Sequence, residues 1–294
     1  MNASDPTLTT VLGRFGLTTG DRIGAGGEAT VFALGTERVL RVAHIGATDD
    51  DLRRRYDLLA ELPRASVPFA LPEVLDVGET LGRRWAIERR LEGVPLDRAL
   101  GESRGSARTH LVTGYLAAAA ALGALALAPR PWFGDLIGAE PVRADTLAAW
   151  LLARAAAGLA GSTPDLQTVD PVPIASDLGA ALGADAAPTF VHLDVTPQNV
   201  LTEYGRITAV LDIGPSAACG DPRLDPVAAA VYLCEPAVTP GVTADDAATA
   251  HAWLREAGLD ALYAPVRRWL GAYWAFATAD PAAIGMCRAV LLDG

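Results

Sequence analysis

The chain has 294 residues, 51% of them hydrophobic, enough to bury one large core or two modest ones that share a cleft. Its formal charge of −11 argues against a nucleic-acid partner, whose phosphates demand a basic footprint. Three widely spaced cysteines, Cys219, Cys234 and Cys287, form no CxxC pair, which excludes a disulfide framework and a zinc ribbon and leaves buried, inert thiols.

The opening Met1-Asn2-Ala3-Ser4-Asp5-Pro6 has no basic segment followed by an apolar one, so a cytoplasmic location is expected. The glycine-rich run Gly24-Ala25-Gly26-Gly27 then precedes two β-prone stretches, 30–34 and 38–42, which Gly35-Thr36 joins as a hairpin turn. A helix is predicted over 49–62: three aspartates open it, where a helix N-terminus favours negative charge, and Leu52, Tyr56, Leu59 and Leu62 recur at helical spacing. Two more strand-like stretches, 73–77 and 84–88, lead to the turn Glu92-Gly93-Val94-Pro95. A first lobe, residues 1–92, is expected to end there, and a second to occupy 93–294.

The second part is rich in alanine and leucine, and helices are predicted near 107–128, 145–160, 244–257 and 261–278, with a Gly/Pro/Asp-rich loop over 161–173. The uncharged stretch 111–128 has the length of a membrane span, yet Thr113, Gly114 and Gly123 interrupt it and no basic anchors flank it. It reads as a helix buried within a lobe, and no membrane partner is expected. The one β-rich island of this half is 189–211.

That island carries the chemistry. In Val191-His192-Leu193-Asp194-Val195-Thr196-Pro197-Gln198-Asn199-Val200-Leu201 an acid and an amide lie five residues apart, bounded by apolar strand residues. A hairpin through Tyr204-Gly205-Arg206 would return the chain to Asp212-Ile213-Gly214 and bring Asp194, Asn199 and Asp212 together. Phosphoryl transfer needs such a set: one carboxylate to orient a hydroxyl and take its proton, and an amide and a carboxylate to hold Mg²⁺ against phosphates. Asn199 is one of only two asparagines in the chain.

These residues resemble the catalytic-loop and metal-binding motifs of the aminoglycoside phosphotransferases and related choline-kinase-like enzymes. The resemblance implies an α+β, protein-kinase-like bilobal fold, with a small β-rich N-lobe and a large, mostly helical C-lobe. It makes Asp194 the catalytic base, Asn199 and Asp212 the Mg²⁺ ligands, and His192 a structural ring that fixes the loop. Leu193 departs from the glycine common in the family. Gly220-Asp221-Pro222-Arg223-Leu224-Asp225 is similar to the family's GDPxxD segment, with Asp225 as a cap or structural acid. Gly24, Gly26 and Gly27 resemble a nucleotide loop for ATP or GTP. The chain contains no lysine, so the resemblance implies that Arg41 stands where kinases carry their phosphate-contacting lysine. Alignment puts Tyr56 where a pairing glutamate is usual, with Asp57 and Glu61 as alternatives. Glu88 and Arg90 fall in a segment similar to the inter-lobe linker that meets the adenine edge, and 131–136 resembles an element near the substrate cleft.

The reading that follows is a kinase acting on a hydroxyl of a small molecule. The alternatives are a metabolic kinase for an endogenous sugar or amino alcohol, and a catalytically silent binding module, against which the intact Asp194, Asn199 and Asp212 argue. Residues 1–92 hold 12 arginines and 14 acids, whereas the remainder holds 12 arginines and 21 acids. A negative cleft would steer a cationic acceptor. Asp245, Asp246, Glu256 and Asp260 are the candidate acids for its amino groups.

Overall fold

The computed structural model describes residues 5–26, 29–44, 49–138, 140–183 and 187–292. Helix α1 (Pro6–Arg14) begins at Asp5, whose carboxylate accepts from the Thr7 and Leu8 amides, with Pro6 at the first helical position, where an N–H is not needed. Strands β1 (Arg22–Ala25), β2 (Ala29–Leu34) and β3 (Arg38–Ala43) follow, then helix α2 (Asp49–Glu61), then β4 (Val74–Thr80) and β5 (Arg83–Arg89). The five strands form an antiparallel sheet in the order β1-β2-β3-β5-β4. The expected β2–β3 hairpin turns through Gly35 at φ +73°, a left-handed position that costs glycine no Cβ clash. Leu8, Val11 and Leu12 of α1 pack against Phe32, Leu40, Val42, Trp85 and Ile87 of the sheet as a small separate core. The apolar residues of α2, Leu58 and Leu59, join the larger core of the rest of the chain, together with Leu62, Phe69 and Leu71.

The remainder is mostly helical. Its strands are β6 (Val94–Pro95), β7 (Phe133–Asp135), β8 (Arg143–Ala144), β9 (Thr189–Val191), β10 (Val200–Glu203), β11 (Arg206–Val210) and β12 (Ala218–Gly220). They form two small sheets, β11-β10-β6 and β8-β7-β12-β9. Its helices are α3 (Leu96–Glu102), α4 (Gly105–Leu122), α5 (Leu147–Ala160), α6 (Pro171–Leu182), α7 (Leu224–Cys234), α8 (Ala244–Glu256), α9 (Tyr263–Tyr273) and α10 (Pro281–Leu291). Helix α7 is buried at every position from Leu224 to Leu233, the mark of a helix enclosed by its neighbours. The segment ahead of β4 is tied to β11 by a parallel bridge, in which the Ala70 amide donates to Thr208 O at 2.8 Å and Val210 N donates to Ala70 O at 3.1 Å.

Several predicted boundaries move. The helix expected over 107–128 ends at Leu122, capped by Gly123. The loop expected over 161–173 ends at Asp170, which caps α6 with Pro171 at its first position. The helix expected over 261–278 is α9 flanked by 3₁₀ turns. Helices α1, α3, α6, α7 and α10 have no counterpart among the predicted elements. Among the described residues no helix is long and apolar enough to cross a membrane.

Candidate active site

The loop between β9 and β10 is held from all sides. The Asp225 carboxylate, at the start of α7, accepts from the His192 amide at 2.8 Å and the Leu193 amide at 2.9 Å. Burial pushes the Asp225 carboxyl up to about 7, against the pull of those two N–H groups. Leu193, fully buried, has φ +61°, a left-handed conformation that explains why glycine suits this position. Two buried tyrosines pin the loop's carbonyls: Tyr232 of α7 donates to Leu193 O and Tyr115 of α4 to Val195 O. The His192 ring bridges the site. Its Nδ1 accepts from the Asp194 amide at 3.2 Å, so Nε2 carries the proton and donates to Leu211 O at 2.8 Å. Burial lowers its pKa and keeps the ring neutral, consistent with a structural part.

Asp194 and Asn199 are in direct contact: Asn199 Nδ2 donates to the Asp194 carbonyl at 2.9 Å and to Asp194 Oδ2 at 3.1 Å. Asn199 O also accepts from the Leu211 amide at 2.7 Å, which fixes the chain just ahead of Asp212. Asp212 lies at φ +54°, and its Oδ1 meets Arg41 Nη2 of β3 at 3.0 Å. Burial alone would raise the Asp212 carboxyl, but the Arg41 and Arg55 guanidinium groups outweigh it and hold it below the usual carboxylate range. All three side chains of the motif remain half-buried. The Asn199 amide nitrogen is spent on Asp194, while its Oδ1 accepts no hydrogen bond among the described residues. That oxygen and the Asp212 carboxylate are hard donors suited to Mg²⁺, which characteristically takes one or two protein oxygens and completes its shell with phosphate and water. No cluster of three or more His, Cys, Asp or Glu side chains that could hold a metal occurs among the described residues.

The other predicted residues are distributed as follows. Gly24 lies in β1 and Gly26 just beyond it, its amide donating to Ala29 O at 3.0 Å. A Cβ on Gly26 would meet nothing within 4 Å, and one on Gly24 only Val31 Cβ at 3.9 Å, so the chain's own packing does not require either glycine. Gly27 lies outside the described residues. Glu88, counted in the linker from the sequence, sits inside β5, and its carboxylate takes a hydrogen bond from Arg55 Nη1 of α2 at 2.8 Å. The exposed Arg90 follows the strand, its amide donating to Glu37 O. Glu61 pairs with Arg130 at 2.7 Å, and Asp57 is exposed. Asp246 is buried against Arg108 at 2.6 Å and so is withdrawn from the acceptor acids, whereas Asp245, Glu256 and Asp260 are exposed. The 131–136 segment contains β7, whose Asp135 is buried and accepts from the Val142 amide at 3.0 Å.

Sequence reasoning missed Arg55, Tyr115 and Tyr232. Arg55 lies on α2, the helix on which a glutamate was sought, with opposite charge, and nothing local marks it. The tyrosines sit in apolar helices, where a lone hydroxyl that must find a buried partner is the available signal.

A comparison with curated protein sequences finds no match. Among solved structures, a ternary complex of a thermostable mutant of aminoglycoside phosphotransferase APH(4)-Ia with ADP and hygromycin B is 22% identical, with TM-score 0.65 over 99% of each chain. The gentamicin complex of APH(2")-IIa is 13% identical, with TM-score 0.63 over 100% of this chain and 98% of that one. The streptomycin-ATP ternary complex of APH(2")-IIa is 12% identical, with TM-score 0.59 over the same shares. At such identities the likeness is one of fold, the bilobal kinase-like α+β arrangement. Because residues 19–277 match the profile of the phosphotransferase enzyme family, the chain belongs to that family and is a small-molecule kinase.

Proposed function

We propose that the protein transfers the γ-phosphoryl group of a magnesium-bound nucleotide, ATP or GTP, to a hydroxyl of a small, amino-bearing molecule such as an aminoglycoside or an amino sugar. The observation that carries this reading is the contact of Asn199 with Asp194 on a loop bonded, through Asn199 O, to the strand end that bears Asp212. Asp194 orients the acceptor hydroxyl and takes its proton as the new O–P bond forms and the nucleoside diphosphate leaves. Asn199 holds the Asp194 carboxylate in place and, with Asp212, presents oxygen to Mg²⁺. When bound, that ion neutralises charge on the phosphates.

Residues 1–92 serve as the nucleotide lobe and 93–294 as the catalytic and acceptor lobe. Gly24, Gly26 and Gly27 let backbone amides approach the phosphates, and the open space around Gly26 supports this. Arg41 supplies the cation that lysine gives elsewhere, as a fork able to make paired hydrogen bonds. The linker meets the base edge through its backbone. Arg89 N and Arg90 N already donate to Glu73 O and Glu37 O, so the N–H groups offered to the base begin at Leu91. The excess of acids after residue 92 favours a cationic acceptor reached from the cytoplasm. The neighbours whose structures are complexes with streptomycin, gentamicin and hygromycin B are consistent with that class.

The test is a panel of aminoglycosides, amino sugars, amino alcohols and neutral sugars, assayed for acceptor-dependent nucleotide consumption. Turnover confined to amino-bearing compounds is expected. Turnover of neutral sugars alone would overturn the acceptor class, and no turnover at all would overturn the transfer reading.

A further inference from the structure

The buried guanidinium of Arg55 bonds in two directions. Its Nη1 donates to Glu88 Oε1 in β5 at 2.8 Å, and its Nε donates at 3.0 Å to the carbonyl of Ile213, the residue after Asp212. Arg55 is 3% exposed and Glu88 7%, so the pair is removed from water and its geometry is not averaged by solvent. Asp212 occupies a left-handed backbone well at φ +54°, a conformation that persists in a non-glycine residue only when its surroundings determine it. The upstream side is fixed twice at Leu211, through its amide on Asn199 O at 2.7 Å and its carbonyl on His192 Nε2 at 2.8 Å. The downstream side is held by Arg55.

We propose that Arg55 is a positioning residue for Asp212: by joining α2, β5 and the Ile213 carbonyl it sets the backbone that aims the Asp212 carboxylate. The inference rests on the metal role proposed for Asp212. It also inverts the charge that a kinase helix would bring to this place. The helix supplies the cation and the sheet the acid, while Arg41 is left to meet Asp212 directly. A lysine at 55 would keep the charge but could not reach the carboxylate and the carbonyl as a fork does.

The experiment measures ATP binding by calorimetry with Mg²⁺ and with excess EDTA, for the wild type, Arg55→Lys and the double variant Arg55→Met/Glu88→Leu. A buried ion pair replaced by apolar side chains is often tolerated, so the double variant separates folding from positioning. The gain in ATP affinity that Mg²⁺ confers should fall about tenfold or more in Arg55→Lys and in the double variant, as for other groups that orient a metal ligand. Affinity in EDTA should be unchanged in Arg55→Lys. Arg108→Gln, which breaks the remote pair with Asp246, should lose stability yet keep the Mg²⁺ gain. An undiminished gain in Arg55→Lys, or an equal loss in Arg108→Gln, would overturn the proposal. If the wild type shows no Mg²⁺ gain, the metal reading of Asp212 fails. Amide exchange at Ile213 and Gly214 then decides for Arg55: acceleration of about tenfold or more, confined to this segment, in Arg55→Lys supports it, and unchanged exchange overturns it.

Discussion

Asn199 Nδ2 donates to Asp194 twice, to its carbonyl at 2.9 Å and to its Oδ2 at 3.1 Å. One side chain therefore orients the acid and leaves its own oxygen for a cation. Asn199→Ala should lose both services, with a fall in kcat of about 10²–10⁴ and weaker Mg²⁺ dependence of ATP binding. Asp194→Asn should lower kcat over the same range, about 10²–10⁴, with nucleotide affinity nearly unchanged. Steady-state kinetics beside calorimetry separate the two, and equal effects on affinity would contradict the division of labour.

Arg41 and Asp212 form one ion pair at 3.0 Å, yet their removal should differ. Asp212→Asn deletes a charged oxygen and should weaken Mg²⁺-ATP binding, leaving affinity in EDTA little changed. Arg41→Ala should raise the KM for ATP or lower kcat, because no lysine exists in the chain to replace it. Titrating each variant with ATP at fixed and at varied Mg²⁺ checks both.

The neutral His192 ring gives stability a definite pH dependence. Burial depresses its pKa in the folded state, so the unfolded chain binds the extra proton first. The stabilisation is present above the ordinary histidine value of about 6.5 and is lost as pH falls below it. The stability difference between wild type and His192→Gln should therefore narrow as pH drops from about 6.5, as read from urea midpoints at a series of pH values.

Leu193→Gly tests which of two opposed terms dominates. Glycine would relieve a left-handed residue by about 1–2 kcal/mol, whereas deleting a fully buried leucine side chain costs about 3–5 kcal/mol. A net loss of about 1–4 kcal/mol is expected, increased somewhat by glycine's freer unfolded chain. A stabilised variant in denaturant titration would mean that strain, not packing, governs this position.

The elements legible in the sequence are those whose signals are local. The β2–β3 hairpin is marked by Gly35, and α2 by its leucines at helical spacing. The triplet Asp194, Asn199 and Asp212 was legible because its spacing is that of one loop and one hairpin. Helix α6 was hidden by ambiguity: Asp170 and Pro171 read as loop punctuation, but the same residues cap and begin a helix. The alanines after Gly123 favour a helix by propensity, yet the chain turns away there. Arg55 could not be found at all, since its two partners lie 33 and 158 residues away. The pairings of Glu88 with Arg55 and of Asp246 with Arg108 were hidden for the same reason, each joining elements far apart in the sequence.

The anchoring of the 192–193 amides to Asp225 on an enclosed helix bears on how the protein fails when heated. Loops are ordinarily the first parts to open, at a small fraction of the global unfolding cost. Here the loop can release only if α7 surrenders a carboxylate that has no solvent to move into, being fully buried. Heat inactivation should accordingly coincide with cooperative unfolding of the larger core, without a preceding regime in which the fold survives and the active loop has melted.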